Sequence, residues 1–136
     1  MMDLIWTFQK LFFRKLKKDL DLPFHPKRLP FLVVVVKNPG IAQKDIAKAL
    51  NIEPPTVAIT IKRMERDGLV TRKNDLYDRR ILRVYPTEIA KEVYKEMKEK
   101  VSKLENEIFN HLNPDDVSCM EENFQKLIDI LSKEED

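Results

Sequence analysis

Apolar residues recur along most of this chain at spacings of three and four, the period that gathers side chains on one face of an α-helix. Leu4, Ile5, Phe8, Leu11, Phe12 and Leu16 form the first stripe, bordered by Lys10, Arg14, Lys15, Lys17 and Lys18, and predict an amphipathic helix. Ile46, Ala47 and Leu50 predict a short helix that Asn51 can end. Val57, Ile61 and Met64 mark the inward face of the next one, which opens at Glu53, Pro54 and Pro55. Proline is tolerated there because the N–H groups of a first turn have no intrahelical acceptor. Gly68 stops this helix, since it enters left-handed backbone without strain. Residues 69–72 and 81–85 then read as two strands, and the Asn74-Asp75 pair and charges between them signal a turn. Thr87 is placed to cap a long helix striped by Ala90, Val93, Met97, Val101, Leu104 and Ile108. Asn113, followed by Pro114, Asp115 and Asp116, caps a last helix whose expected buried stripe is Val117, Met120, Phe124, Leu127 and Leu131.

Two stretches fit neither period. Residues 21–30 hold Pro23, Pro26 and Pro30 and read as a linker, in which His25 is a capping or packing residue rather than a ligand. Residues 31–36, Phe-Leu-Val-Val-Val-Val, carry the propensity of a buried strand. Pro30 in a first turn, Lys37 near an end and Asn38-Pro39-Gly40 as a stop fit a helix instead, and pattern alone leaves both open. Composition narrows the class. A length of 136 residues suits one domain, and two Gly with 35% charged residues argue against a sandwich or barrel rich in tight turns. Residues 29–36 are far too few to span a membrane, and the N-terminus lacks a signal-peptide cleavage pattern, so a cytoplasmic protein is expected.

Charge is unevenly spread although the net value is only +2. Residues 1–40 carry 8 basic and 3 acidic side chains, residues 41–85 carry 10 and 6, and residues 86–136 carry 7 and 14. The basic part coincides with the order helix, Gly, strand, basic loop, strand. Such asymmetry is the footprint of a phosphate-binding face, though ordinary solvated helices can produce it too. A helix fits the major groove of B-DNA with its N-terminal residues towards base edges, and a hairpin can follow the backbone or enter a minor groove. The phosphate candidates are Gln43 and Lys44 at one helix start, Lys62 and Arg63 on the next helix, and Arg72, Lys73 and Arg79 on the hairpin. Arg66 and Arg72 read equally well as surface ion-pair partners. Pro55, Thr56, Ala58, Ile59 and Lys62 face outward early enough in the helix to approach base edges.

Taken together, Ile41-Ala42-Gln43-Lys44-Asp45-Ile46-Ala47, Pro54-Pro55-Thr56-Val57, Met64-Glu65-Arg66-Asp67-Gly68-Leu69-Val70, Asp78-Arg79-Arg80 and Val84-Tyr85-Pro86-Thr87 resemble the MarR family of transcriptional regulators. The resemblance runs from about residue 29 to residue 101. It implies a mainly α protein with a small antiparallel β-wing, in which a winged helix-turn-helix region (29–87) lies between dimerisation helices (1–22 and 88–136) in one unit. It also implies a helix over residues 31–36, a short strand at Ile41-Ala42 that pairs with the wing, and an Asp78 that braces Arg80 for entry into a minor groove. The implied function is that of a homodimeric, sequence-specific DNA-binding regulator, a ligand-responsive repressor on a pseudo-palindromic operator. Small aromatic anions are the implied effectors, with Phe8, Phe12, Arg14 and Phe31 as lining candidates by position, although aromatic residues at helical spacing are more often core. The chain departs from the family at Ile59, where a polar or basic residue is usual, at Pro86 for Leu and at Ala90 for Gly.

Other classes remain to be weighed. A winged-helix architectural or protein-interaction module would bind nucleic acid without sequence preference. The basic first helix could lie on a membrane, but its aromatic stripe is more often core or subunit interface. No membrane partner is expected. Three apolar-striped helices are more than a chain of this size readily covers alone, which predicts a homodimer. Two distant His, a single Cys and no Gly-rich phosphate loop argue against an enzyme, and no metal or cofactor is expected. Cys119, beside Met120, is expected to be a packed thiol.

Overall fold

The computed structural model describes residues 1–134. Helix α1 (Met2–Asp19) is followed by a single 3₁₀ turn (Pro26–Arg28), α2 (Leu29–Lys37), β1 (Ile41–Ala42), α3 (Gln43–Leu50) and α4 (Pro54–Arg66). Strands β2 (Val70–Asn74) and β3 (Leu82–Pro86) come next, then α5 (Glu88–Phe109) and α6 (Pro114–Glu134). Residues Met1–Lys100 form one compact unit and those from Val101 onward a second. No helix among the described residues is long and apolar enough to cross a membrane.

Residues 31–36 are helical despite their β-branched run. Helical period puts Phe31, Leu32 and Val35 on one buried face, so tertiary burial overrides strand propensity. Asn38 closes the helix by donating from its side-chain amide and its backbone N–H to Val34 O, at 2.9 and 3.0 Å. Gly40 then turns the chain with φ +86°, and a Cβ there would lie 3.2 Å from the Tyr85 ring. Ile41-Ala42 is the short strand expected.

The sheet has the order β1-β3-β2, antiparallel throughout, with Ile41 opposite Val84 and Arg72 also opposite Val84 on the other side. Both wing strands start one residue later than the sequence pattern suggests, β2 because Leu69 belongs to the stop of α4 and β3 because the Ile81 N–H closes the tip on Asp78 O. Gly68 N–H donates to Glu65 O and Leu69 N–H to Met64 O, the paired bonds of a left-handed C-terminal cap. Asn51, at φ 52°, ends α3 in the same way, with Ile52 N–H reaching Ala47 O at 3.0 Å.

One core serves this unit. Phe31, Leu32 and Val35 of α2, Ile46 and Ala47 of α3, Val57, Ile61 and Met64 of α4, Leu69, Val70 and Val84 around the sheet, and Ala90 of α5 pack together. The turn-rich segment before α2 is tied down by His25, whose Nδ1 accepts from Lys27 N–H at 3.2 Å, the capping role expected of it. Thr87 caps α5, its Oγ1 accepting from Ala90 N–H at 3.3 Å while donating to Gly68 O at 2.7 Å. Asn113 Oδ1 accepts from Asp115 N–H at 2.9 Å at the head of α6.

The outer helices differ from expectation. Only Leu16 of the first stripe is fully buried, while Leu4, Phe8 and Leu11 are exposed together with Trp6 and Phe13. In α6 the stripe expected to be buried is not. Met120, Phe124, Leu127 and Leu131 are exposed within the chain, with Ile128 and Ile130 beside them. Cys119 is likewise exposed rather than packed, with Asn123 Nδ2 at 3.4 Å from its sulfur. The spacing makes α6 amphipathic, and its apolar stripe from Met120 onward is exposed among the described residues.

Candidate nucleic-acid interface

The inward side of α4 is fixed by Val57, Ile61 and Met64, each fully buried. That orientation leaves Pro55, Thr56, Ile59, Lys62 and Arg63 on the exposed side, with Ala58 partly covered. Two ion pairs hold the far end of the helix. Asp67, at its C-cap, is paired with Arg28 from the 3₁₀ turn, and Glu65 Oε1 meets Arg72 Nη2 of β2 at 3.1 Å. Glu65 Oε2 also accepts from Arg72 N–H at 3.1 Å, so one carboxylate joins helix and wing. Arg28 beside Asp67 and Arg72 beside Glu65 hold those carboxyls below their usual range. Arg72, a phosphate candidate by sequence, therefore already has an anionic partner.

Asp75 organises the wing tip. Its Oδ2 accepts from the backbone N–H groups of Tyr77 and Asp78 at 3.0 and 2.9 Å, while its Oδ1 accepts from Arg83 Nε at 2.8 Å. Arg83 also donates to Gly40 O at 3.0 Å, which fastens the wing to the turn before β1. The Arg83 guanidinium and then the two amides hold the Asp75 carboxyl below the usual range.

Asp78 grips Arg80 twice, Oδ1 accepting from Nε and Oδ2 from Nη2, both at 3.0 Å, and Oδ1 also takes the Arg80 N–H at 3.1 Å. The carboxyl is lowered chiefly by that guanidinium, with Lys44 adding to the effect. The Arg80 side chain is nevertheless 91% exposed, so it is aimed by its brace and left open to solvent. Arg79 is exposed without such a brace, and Lys73 extends over the Tyr85 ring, its Nζ 5.7 Å from the centroid.

Three elements meet in one recess of about 210 Å³, lined by Ala42, Gln43, Lys44, Pro54, Arg80, Ile81 and Leu82. The head of α3, the head of α4 and the base of the wing thus converge, bringing Gln43, Lys44 and Arg80 together. A second recess, about 490 Å³, opens beside α4 and is lined by His25, Lys27, Arg28, Phe31, Ile52, Thr56, Thr60 and Arg63. Of the four effector-lining candidates only Phe31 reaches it; the Phe8 and Phe12 rings lie tilted at 35° with centroids 5.8 Å apart on α1, and Arg14 is exposed there.

The sequence pattern marked Asp75 only as part of a turn, and gave no role to Arg83 or to the Arg28–Asp67 pair. Asp75 had a legible signal, since an Asp that accepts amides two and three residues on is a known turn-maker. The ion pair between Arg28 and Asp67 had none, because its partners are 39 residues apart.

The MarR family model matches residues 31–82. Over 77 residues, 57% of this chain and 50% of the relative, the sequence is 35% identical to YybA, an uncharacterized HTH-type transcriptional regulator of Bacillus subtilis (strain 168). The match thus spans about half the length of that relative. Among solved structures, a MarR family protein from Bacillus stearothermophilus superposes with a TM-score of 0.85 at 17% identity, over 96% of this chain and 92% of the other. Streptococcus pneumoniae FabT, in a crystal structure in complex with DNA, gives 0.81 at 17% identity over 97% and 94%. The matched residues 31–82 are similar to the MarR family and hold α2, β1, the helix-turn-helix of α3 and α4, and β2, while β3 (Leu82–Pro86) runs beyond the match.

Proposed function

We propose that the protein is a homodimeric, sequence-specific DNA-binding transcriptional regulator that acts as a repressor, and not an enzyme. The observation that carries this reading is the convergence of Gln43, Lys44, Pro54 and Arg80 on one recess at the open end of α4. Helix α4 enters the major groove by its N-terminal half, where Pro55, Thr56, Ala58 and Ile59 approach base edges, and Lys62 and Arg63 meet phosphates. Gln43 and Lys44 hold the flanking backbone. Lys73, Arg79 and Arg80 follow the wing to the adjacent minor groove, with Asp78 acting only through Arg80. Arg72 serves the fold more than the DNA, since Glu65 already neutralises it.

Apolar side chains exposed on α1 and α6 support the dimer, whose two copies of α4 would read successive major grooves about 34–36 Å apart on a pseudo-palindromic site. Residues 1–22 and 88–136, of which 135 and 136 lie outside the described residues, hold its dimerisation helices in this reading, and residues 29–87 its reader. A DNA partner puts the protein in the cytoplasm. A small aromatic anion is the proposed effector, shifting the population of half-site spacings, with Phe31 the best placed of the sequence candidates.

Ile59, 54% exposed where a hydrogen-bonding residue would read a base directly, favours readout by thymine methyls and DNA shape. It also keeps a second reading in play, an architectural module without sequence preference. Fluorescence-anisotropy titration with duplex from the protein's own upstream region and with a shuffled duplex, at two salt concentrations, separates them. Tight, salt-sensitive binding that prefers the first duplex by about three decades is expected of the regulator. Equal weak binding to both would favour the architectural module.

A further inference from the structure

Leu76 and Tyr77 are 92% and 96% exposed, more than any other large apolar side chain among the described residues. Single exposed apolar residues are ordinary, but these two are adjacent, at the tip of a loop, and their backbone is firmly held. Asp75 binds the N–H groups of Tyr77 and Asp78, Asp75 N–H donates to Ile81 O at 2.9 Å, and Ile81 N–H donates to Asp78 O at 3.0 Å. Asn74 Nδ2 closes the loop on Arg79 O at 2.7 Å. None of these bonds uses the Leu76 or Tyr77 side chain, and neither residue joins the core. The fold spends a network of polar contacts on presenting two apolar groups to solvent.

Resting on the DNA-binding reading above, we propose that Leu76 and Tyr77 are an apolar wedge that enters the minor groove ahead of Arg80 and packs on sugar and base edges. The neighbouring charges select the partner. Lys73, Arg79 and Arg80 lie on the same hairpin, and a minor groove is a slot with an apolar floor and sugar walls between two rows of phosphate. Apolar side chains inserted there partly unstack a base step and bend the duplex, most easily at pyrimidine–purine steps. The wedge adds discrimination by deformability to a helix whose Ile59 and Ala58 offer no hydrogen bonds to bases. Because the loop is already ordered, insertion loses little backbone entropy on binding.

The test compares the full-length protein with the Leu76→Ser/Tyr77→Ser double variant and with Tyr77→Phe. The probe is a duplex recovered by iterative selection with the wild type from a random pool, carrying 2-aminopurine at successive positions across the site. Both side chains are solvated, so thermal melts of the variants match the wild type. The double variant is expected to bind roughly tenfold or more weakly, because two apolar side chains are no longer removed from water. Its salt slope stays unchanged, since no phosphate contact is lost. The wild type and Tyr77→Phe raise 2-aminopurine fluorescence at a step beneath each wing, and the double variant does not. Equal affinity and equal fluorescence for all three proteins would overturn the wedge while leaving the DNA-binding reading intact, and would hand the tip to a protein partner. Failure of the wild type to enrich any duplex would overturn that reading and the wedge with it.

Discussion

Arg80 shows how a short motif becomes a positioned charge. A free arginine on a wing loses rotamer freedom when it enters a groove, whereas this one is already held by two bonds to Asp78, so less remains to be lost. Arg80→Ala should therefore weaken binding to the preferred duplex roughly 5- to 150-fold, the range for a good groove contact, with the thermal midpoint unchanged. Undiminished affinity in titration would remove Arg80 from the interface. Asp75 makes a prediction of its own about pH. Its carboxyl is depressed in the folded chain, so its contribution to wing order is complete above the ordinary aspartate value of about 3.9 and fades as pH falls through the lower folded one. The Tyr77 and Asp78 amide resonances should accordingly stay constant from neutral pH down to about 5 and titrate with a midpoint below 3.9. In Arg83→Ala that midpoint should climb towards the ordinary value. A wild-type midpoint at or above it would contradict the bonding described for the wing.

Helix α4 is positioned by contacts that the residues proposed to face DNA do not make. Val57, Ile61 and Met64 set its rotation, the left-handed cap at Gly68 sets its length, and Arg28–Asp67 and Arg72–Glu65 fix its last turn to the segments on either side. Binding can then be lost without touching any proposed contact. Ile61→Ala should cost about 2–5 kcal/mol of stability, the usual range for truncating a fully buried aliphatic residue. Chemical denaturation measures this directly; a cost well under 1 kcal/mol would mean that the core around α4 is looser than its burial implies. The wing is a smaller element and has fewer apolar residues to hold it, so polar bonds from Asp75, Asp78 and Arg83 stand in for a core.

For the molecule as a whole, the exposed apolar residues of α1 and α6 are the outstanding fact. Leu4, Trp6 and Leu11, and separately Phe124, Leu127, Ile128, Ile130 and Leu131, are each between 46% and 73% exposed. Patches of this kind on a folded chain mark surfaces that associate. Sedimentation at micromolar concentration should give twice the 16.1 kDa chain mass, and Leu127→Glu should move the equilibrium towards the single chain. A folded monomer of wild-type protein under those conditions would end the dimer proposal, and with it the two-helix reading of the DNA.

The sequence by itself determined nearly every element. Helical spacing, first-turn prolines, Gly68, Asn51, Thr87 and Asn113 are local signals, because the backbone bonds they satisfy lie within a few residues of them. The Asp78–Arg80 brace, whose partners are two apart, was implied by the resemblance. For residues 31–36 pattern alone left strand and helix open and the resemblance implied the helix that is found; packing supplies the reason, since a β-branched run has the same composition in either, and the choice depends on which face meets α3 and the sheet. Tertiary structure alone decided the Arg28–Asp67 pair, the bond from Arg83 to Gly40 and the meeting of Gln43, Lys44 and Arg80, because these join segments that local periodicity does not relate. It alone separated the α5 stripe, much of it covered, from that of α6, which is open although the two read alike. An apolar stripe records that a surface avoids water; what covers it depends on the other elements within reach.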